Sequence, residues 1–532
     1  MKHIRFQFMA VLSASALMLS SCDLIGSVDD ISPDHVVTDD NYITDAASAQ
    51  TALNGVYAAW RSTGVSYLRY GMFSMAHTET QAMVMGADEF AQENIETNNS
   101  NVESAYTAYY YVINTANTFL VHINKNIPGL SDDKRTEMIA EARCQRALAY
   151  LTLLKCFGEY WKQDSPYGVC LFKDELVRDN EPRKRSSVAE TYQLIGEDLD
   201  FAIAHCAQQP TDHYHVSALF AKALKAKMYL AQDDYQNAAK LAEEVMTEAG
   251  SDGYNLEEDY ASIYSKQFES SEMLFAPYVA NPSELFDDVW IGFAPGSLLT
   301  KIADDLAPDE ETGSGDEGDG DISDGDHEEY SSKKSLATRA GDGSEDEEYP
   351  VEPGDPDNPD YPDYPEGPDG PTATYDARYD WAYNGEEAMM TGIGKYANMT
   401  ADYSSLNTYY FMRLAEVYYI AAEAEARQGE YDKARTSLAT VIARAGYDEE
   451  YVDGIADEDL LGVILKHKLV DISNENFEEW FDFCRYNRKG GFEGWTEDEK
   501  AELPAFRRYL LPIPKTSQGA NNLLEQNPEY IE

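Results

Sequence analysis

The chain has 532 residues, 43% of them hydrophobic and 12% aromatic, with 38 tyrosines, which is enough apolar material for one large core or several domains. Its formal charge of −56 denies it the cationic surface that phosphate contacts require, so nucleic-acid binding is excluded. An acidic, tyrosine-rich protein suits neutral or cationic ligands better.

Residues 1–21 read as a signal peptide, with Lys2, His3 and Arg5 ahead of an apolar run from Phe6 to Leu19. That run is too short to span a bilayer as a mature helix. It ends in Leu19-Ser20-Ser21-Cys22, which resembles the lipobox of bacterial lipoproteins, where the Cys becomes the acylated N terminus. Two or three acyl chains on Cys22 hold a protein to a membrane for practical purposes permanently. Residues 22–44 are polar and form the expected lipidated tether, and residues 45–532 the folded domain.

Helical periodicity starts near Asp45, with Ala49, Ala52, Leu53, Val56 and Tyr57 on one face. Residues 61–101 lose that rhythm and hold Gly64, Gly71, Gly86 and a polar ENIETNNSN run, which predicts a long irregular, functional segment. From Glu103 to Trp161 the helices return, and Ser187 with Glu190 reads as a capping box opening another. Residues 220–250 and 410–446 then superpose at one offset: Tyr235 on Tyr431, Ala238 on Ala434, Val245 on Val441, Gly250 on Gly446. A repeated helical hairpin of this length predicts a mainly α fold with tetratricopeptide-like stacking into an α-solenoid scaffold. Residues 304–370 are acidic and rich in Pro and Gly, a composition that buries too little apolar surface to offset its ordering entropy, and read as a disordered insertion.

Candidate chemistry is sparse. The run from Asp316 to Asp326 misses the EF-hand pattern, since loop position six is Asp324 rather than Gly. There is no GxSxG, HExxH or P-loop, and His213 and His215 read as solvated loop imidazoles. Cys144, Cys156, Cys170, Cys206 and Cys484 show no metal-ligand spacing; Cys144 and Cys156 fit buried thiols, and disulfides cannot be assigned from spacing. Acids are too many for spacing to select a catalytic pair. Aromatics off the helical faces are more informative: Tyr67, Tyr70 and Phe73; Trp290 and Phe293; Trp381 and Tyr383. Such rings beside Asp, Asn and Arg make platforms for sugar faces, or else stiffen their own loops.

Taken in order, RCQRALAYLTLLKCFGEYW, TYQLIGEDLDFAI, the two hairpins and the closing YLLPIPKTSQGANNLLEQNPEY resemble the SusD/RagB family of surface lipoproteins. The resemblance covers nearly the whole mature chain outside the acidic insertion. It departs at ILKHKLVDISNENFEEWFDFCRY, where Trp480, Asp482 and Arg485 match the family pattern while Lys466, His467, Lys468 and Glu479 do not. The resemblance implies four TPR-like hairpins, with long loops and a few short strands packed on one side, and a lipid-anchored protein on the outer face of the outer membrane. It implies a glycan, or in some members a peptide, as ligand, and a TonB-dependent transporter as partner. It also implies no catalytic activity and no obligatory cofactor. By loose correspondence the ligand loops are residues 61–101, 278–300 and 375–396. A surface glycosidase and a purely protein-binding TPR scaffold are the rival functions; the first predicts turnover, the second copurification without glycan affinity.

Overall fold

The computed structural model describes residues 42–77, 87–173, 175, 181–208, 212–278, 295–307, 375–385, 394–396 and 407–531. The main helices are α1 Ala46–Ala58, α2 Thr63–His77, α3 Ser100–Ile123, α4 Asp132–Phe157, α5 Val188–His205, α6 Ala218–Ala231 and α7 Tyr235–Ala249. They continue with α8 Tyr260–Lys266, α9 Ser297–Asp305, α10 Leu414–Arg427, α11 Tyr431–Ile442, α12 Leu460–Ile472 and α13 Glu478–Lys489. Strands β1 (Met273–Phe275) and β2 (Met412–Arg413) pair antiparallel, with a register irregularity between Met273 and Phe275. Among the described residues no helix is long and apolar enough to cross a membrane.

Local chemistry sets the helix starts. Asp45 accepts from the Ser48 N–H while Ser48 returns the bond, and Ser187 and Glu190 form the same reciprocal box at α5. Helices α4 and α5, α6 and α7, and α10 and α11 pack as successive hairpins, and α10 also lies on α7, which joins two of them. Inside the last hairpin Ala415, Tyr419, Ala422 and Ala426 face Ala434, Leu438, Val441 and Ile442 in one buried cluster. The connecting turn needs a left-handed residue: Gly429 at φ 78° in this hairpin and, at the equivalent position, Asp233 at φ 60° in α6–α7. The repeat is less strict at its end, where Gly446 is left-handed but Gly250 is not and Gly253 takes that role. Arg146 on α4 binds both carboxylate oxygens of Asp198 on α5 at 2.8 and 2.9 Å and Asn117 on α3 at 2.7 Å, locking three layers together.

Three expectations are corrected. Residues 63–77 form a regular helix, not an irregular segment. Gly86 lies outside the described residues, and the other two glycines that broke the pattern are close-packing positions: a Cβ on Gly64 would lie 2.2 Å from the Ser104 carbonyl of α3, and one on Gly71 2.6 Å from the Phe90 ring. The acidic stretch does not start at 304. Helix α9 runs to Asp305 and Leu306 is buried, and the rest of that stretch, with its Asp316–Asp326 run, lies outside the described residues. The segment's two flanks meet, because the Asp376 N–H donates to the Ala303 carbonyl at 3.0 Å. The imidazoles of His213 and His215 are half-buried and bound, to the Met273 carbonyl at 2.7 Å and to Asp212 at 2.9 Å.

The described cysteines, Cys144, Cys156, Cys170, Cys206 and Cys484, are free and buried, and burial raises each thiol above its usual range. The closing PIP…QNPEY segment folds back on the scaffold. The Leu511 N–H reaches the Cys156 carbonyl at 2.8 Å, and Asn527 donates to the Leu511 carbonyl at 2.7 Å while accepting from Arg185. The residues that depart from the family pattern are all engaged here. Lys466 bonds Asp305 and Glu499, Lys468 bonds Asp482, and His467 bonds Arg378 and Tyr451.

Candidate functional site

Helix α2, helix α8, the 375–385 segment and the approach to β2 bring their aromatics to one place. Tyr70, Phe73, Tyr260, Tyr264, Tyr396 and Tyr410 form a buried cluster, with Tyr67, Phe268, Trp381 and Tyr383 packed on it half-buried. Trp381 stacks on Tyr264 with centroids 5.2 Å apart and planes 18° off parallel, and meets Tyr260 edge-on at 5.5 Å. Gly394 passes the benzo edge of Trp381 so closely that a Cβ there would lie 3.4 Å from the ring and 3.0 Å from its backbone carbonyl. Arg69 fills the other end of the cluster. Its guanidinium sits 4.8–5.1 Å from the ring centroids of Tyr70, Tyr396 and Tyr409 and donates to Tyr396 Oη at 3.0 Å.

Below the rings lies an ionic floor in which Arg378, Lys395, Arg413 and Arg444 face Glu272, Asp376, Asp471 and Glu475. Arg413 is the hub: it bonds Glu272, Asp471 at 2.8 Å and both oxygens of Glu475 at 2.7 and 2.9 Å. Arg444 bonds Glu272 and Asp471, Arg378 bonds Asp376 at 2.8 Å, and Lys395 bonds Glu475 at 2.9 Å. Burial works against the charged carboxylates, but Arg378 holds Asp376 down at about 2, and Arg444, Arg413 and Arg378 hold Asp471 far below its usual range. His467, beside Arg378, is pushed down to about 3 by burial and by that cation, so it stays neutral. Asp376 and Asp471 are therefore ionised and ion-paired at neutral pH, which leaves neither of them protonated to serve as a general acid.

The structure thus gathers five of the seven sequence-nominated aromatics, Tyr67, Tyr70, Phe73, Trp381 and Tyr383, into one cluster. It corrects their roles. Tyr70 and Phe73 are core residues of α2, with Phe73 against His77 at 4.4 Å and Tyr70 against Arg69, so neither presents a ring face to a ligand. Tyr67, Trp381 and Tyr383 form the half-buried rim, and Tyr383 is fixed by Asn474, which donates to its hydroxyl at 2.7 Å. Trp290, Phe293 and Cys22 lie outside the described residues. Among those residues no group of His, Cys, Asp and Glu is placed to hold a metal ion.

Sequence reasoning missed a concave surface beside that cluster, a cleft of about 500 Å³ lined by α1, the 212–215 loop and the residues after β1, including Tyr214 and Tyr278. The sequence did expose the His213–His215 pair in that loop, but nothing along the chain joins it to α1.

Two sequence models of one family match this chain. The SusD family model covers residues 358–530, and a SusD-like model described as starch-binding associating with outer membrane covers residues 30–230. A SusD-like protein P2 of Formosa agariphila is 24% identical over 95% of this chain and 97% of its own length. A SusD-like protein of Bacteroides ovatus is 25% identical over 43% of this chain and only 40% of its own length. Among solved structures, a SusD superfamily protein from Bacteroides vulgatus covers 92% of this chain and 100% of its own at 20% identity, with a TM-score of 0.65. A laminarin-binding SusD-like protein covers 91% of this chain and 99% of its own at 18% identity, with a TM-score of 0.60. With both halves matched by the family's sequence models and the helical path shared with its solved members, the chain belongs to the SusD/RagB family.

Proposed function

We propose that this protein is a cell-surface nutrient-binding lipoprotein, anchored through Cys22, that captures a glycan and hands it to a TonB-dependent outer-membrane transporter without reacting on it. The starch-binding description of the matched family model and the laminarin-binding relative support the ligand class. The observation that carries the reading is the Trp381–Tyr264 stack, a half-buried indole held over an ion-paired floor. A ring fixed in this way loses little entropy when a sugar face stacks on it. The ion-paired, ionised Asp376 and Asp471 beneath it support binding rather than hydrolysis.

A glycan array followed by calorimetry tests this. The purified protein binds at least one neutral glycan without releasing reducing ends. Trp381→Ala weakens that binding roughly two- to tenfold, since a stacked ring contributes about 0.5–1.5 kcal/mol beyond its buried area. Release of reducing ends would point to the glycosidase instead, and affinity unchanged in Trp381→Ala would remove the stack from the site.

A further inference from the structure

The cleft after β1 is a built surface. Its wall is a run of rings: Tyr57 meets His215 edge-on at 4.9 Å, His215 meets Tyr214 at 4.8 Å, and Tyr214 meets Tyr278 at 5.0 Å. Phe268 backs both tyrosines, 5.8 Å from Tyr214 and 5.1 Å from Tyr278. Tyr278 is nevertheless 41% exposed, one of few large apolar side chains in that state among the described residues. Its backbone is pinned from three sides. Arg61 Nη2 donates to the Tyr278 carbonyl at 2.7 Å, Thr408 donates to the Pro277 carbonyl, and the Ala276 N–H reaches the His213 carbonyl at 3.1 Å. A lone exposed aromatic needs no explanation. An exposed aromatic fixed by its backbone, paired with a second ring and facing a cleft, is what ligand stacking requires.

The opposite side of the cleft is α1, which supplies polar groups one helical turn apart. Gln50 Nε2 donates to Asn54 Oδ1 at 3.0 Å, orienting both amides and leaving the Asn54 N–H group and the Gln50 carbonyl as a donor and an acceptor for hydroxyls. The carboxylates at the wall are already engaged: Asp212 with His215, and Glu141 with the Tyr57 hydroxyl at 2.6 Å. Among the described residues the cleft therefore has no uncommitted carboxylate to recruit a cation. At about 500 Å³ it falls in the size range of small-molecule sites, roughly 300–1,000 Å³.

We infer that the cleft lined by Gln50, Asn54, Arg61, Tyr214, His215 and Tyr278 is a second saccharide site, one that takes a neutral sugar unit stacked on Tyr278 and Tyr214 with its hydroxyls on Asn54 and Gln50. The ligand class rests on the glycan-binding reading above, while the position rests on the cleft alone. Phe268, which backs Tyr278, also packs on the cluster that carries Trp381, so the two surfaces share one aromatic spine. A long chain can engage both surfaces, and that gains affinity by effective concentration rather than by new contacts at either one.

The test uses the purified full protein and a panel of soluble α-1,4-, β-1,3- and β-1,4-linked gluco-oligosaccharides and manno-oligosaccharides, titrated calorimetrically at short and long chain lengths. Tyr278→Ala and Asn54→Ala each weaken binding of the longest ligand roughly three- to tenfold. Both residues are at the surface, so both variants keep the wild-type melting temperature. The double variant Tyr278→Ala/Trp381→Ala loses more than either single variant. Wild-type affinity in both cleft variants, alongside a loss in Trp381→Ala, overturns the cleft and leaves the main reading standing. Absence of binding to every panel member by the wild-type protein overturns both.

Discussion

Arg413 shows how one side chain supports a surface it does not reach. All three of its guanidinium nitrogens donate to Glu272, Asp471 or Glu475, and the guanidinium lies 5.8 Å from the centroid of Tyr264, the ring on which Trp381 stacks. Removing the cation strands carboxylates in a dry interior, a change that costs about 3–5 kcal/mol where a buried pair is broken from one side. Arg413→Met is therefore expected to lower the apparent unfolding free energy by about that amount in urea titrations. Arg413→Lys, which keeps the charge but loses the fork, should fall between. Wild-type stability in Arg413→Met would mean that Arg378, Lys395 and Arg444 carry the floor without it. Arg413 lies at the start of the 410–446 hairpin that helps carry the family resemblance, but its role is not legible there. Its partners come from the turn before β1, the end of α12 and the residues after it, and no local spacing joins those segments. The same limit hid the cleft, where Asn54 and Tyr278 meet only after β1 is placed. It also explains the mixed outcome for the nominated rings. Being aromatic and off a helical face marked Trp381 and Tyr383 usefully, but it could not separate them from Tyr70 and Phe73, which are buried on α2.

Elements were more readable where their packing is periodic. The α6–α7 and α10–α11 hairpins announce themselves because a helix buries one face at fixed steps, and the shared offset survives in the left-handed turns at Asp233 and Gly429. Helix α2 did not, because Gly64 and Gly71 serve contact rather than turning, and a glycine that admits a neighbouring backbone looks in sequence like one that ends a helix. Where hairpins meet, their contact carries a titration. Glu425 on α10 is lifted to about 7, first by burial and further by Glu243 of α7, while Ser437 and Lys433 of α11 pull the other way. A carboxyl whose folded pKa lies above its unfolded value of 4.5 favours the native state fully below pH 4.5 and loses that advantage as pH rises through 7. Between pH 5 and 8 the wild-type denaturation midpoint should fall. Glu425→Gln, which keeps the shape and cannot ionise, should show a flatter profile and exceed wild type at pH 8. Parallel profiles for the two proteins would place the proton elsewhere, for example on Glu479, which burial also lifts to about 7.

At the scale of the molecule, the scaffold closes on itself across the acidic stretch. Ala303 and Asp376 are joined by a backbone hydrogen bond, Arg378 ties the returning chain to α12 through Asp471, and the Tyr447 hydroxyl donates to Asp376 at 2.7 Å and also reaches the Leu306 carbonyl at 2.5 Å. Both flanks are thus held by the fold, so the residues between them are not needed to bring the ends together. If the acidic, Pro- and Gly-rich composition of 308–374 means that this stretch contributes no core, its main thermodynamic effect is the entropy of closing a long loop. That cost grows with the logarithm of length, and shortening the loop about tenfold is worth about 2 kcal/mol. Replacing residues 308–374 with a short Gly-Ser linker should therefore leave the circular dichroism spectrum helical and keep or raise the melting temperature. Glycan affinity should be unchanged, because Trp381, Tyr264 and Tyr278 are held by other segments. A fall of several degrees would show that the stretch packs on the scaffold, and loss of affinity at unchanged stability would assign it to the ligand. The first outcome makes the acidic stretch an addition to a complete fold, and the last would give its charge a part in capture.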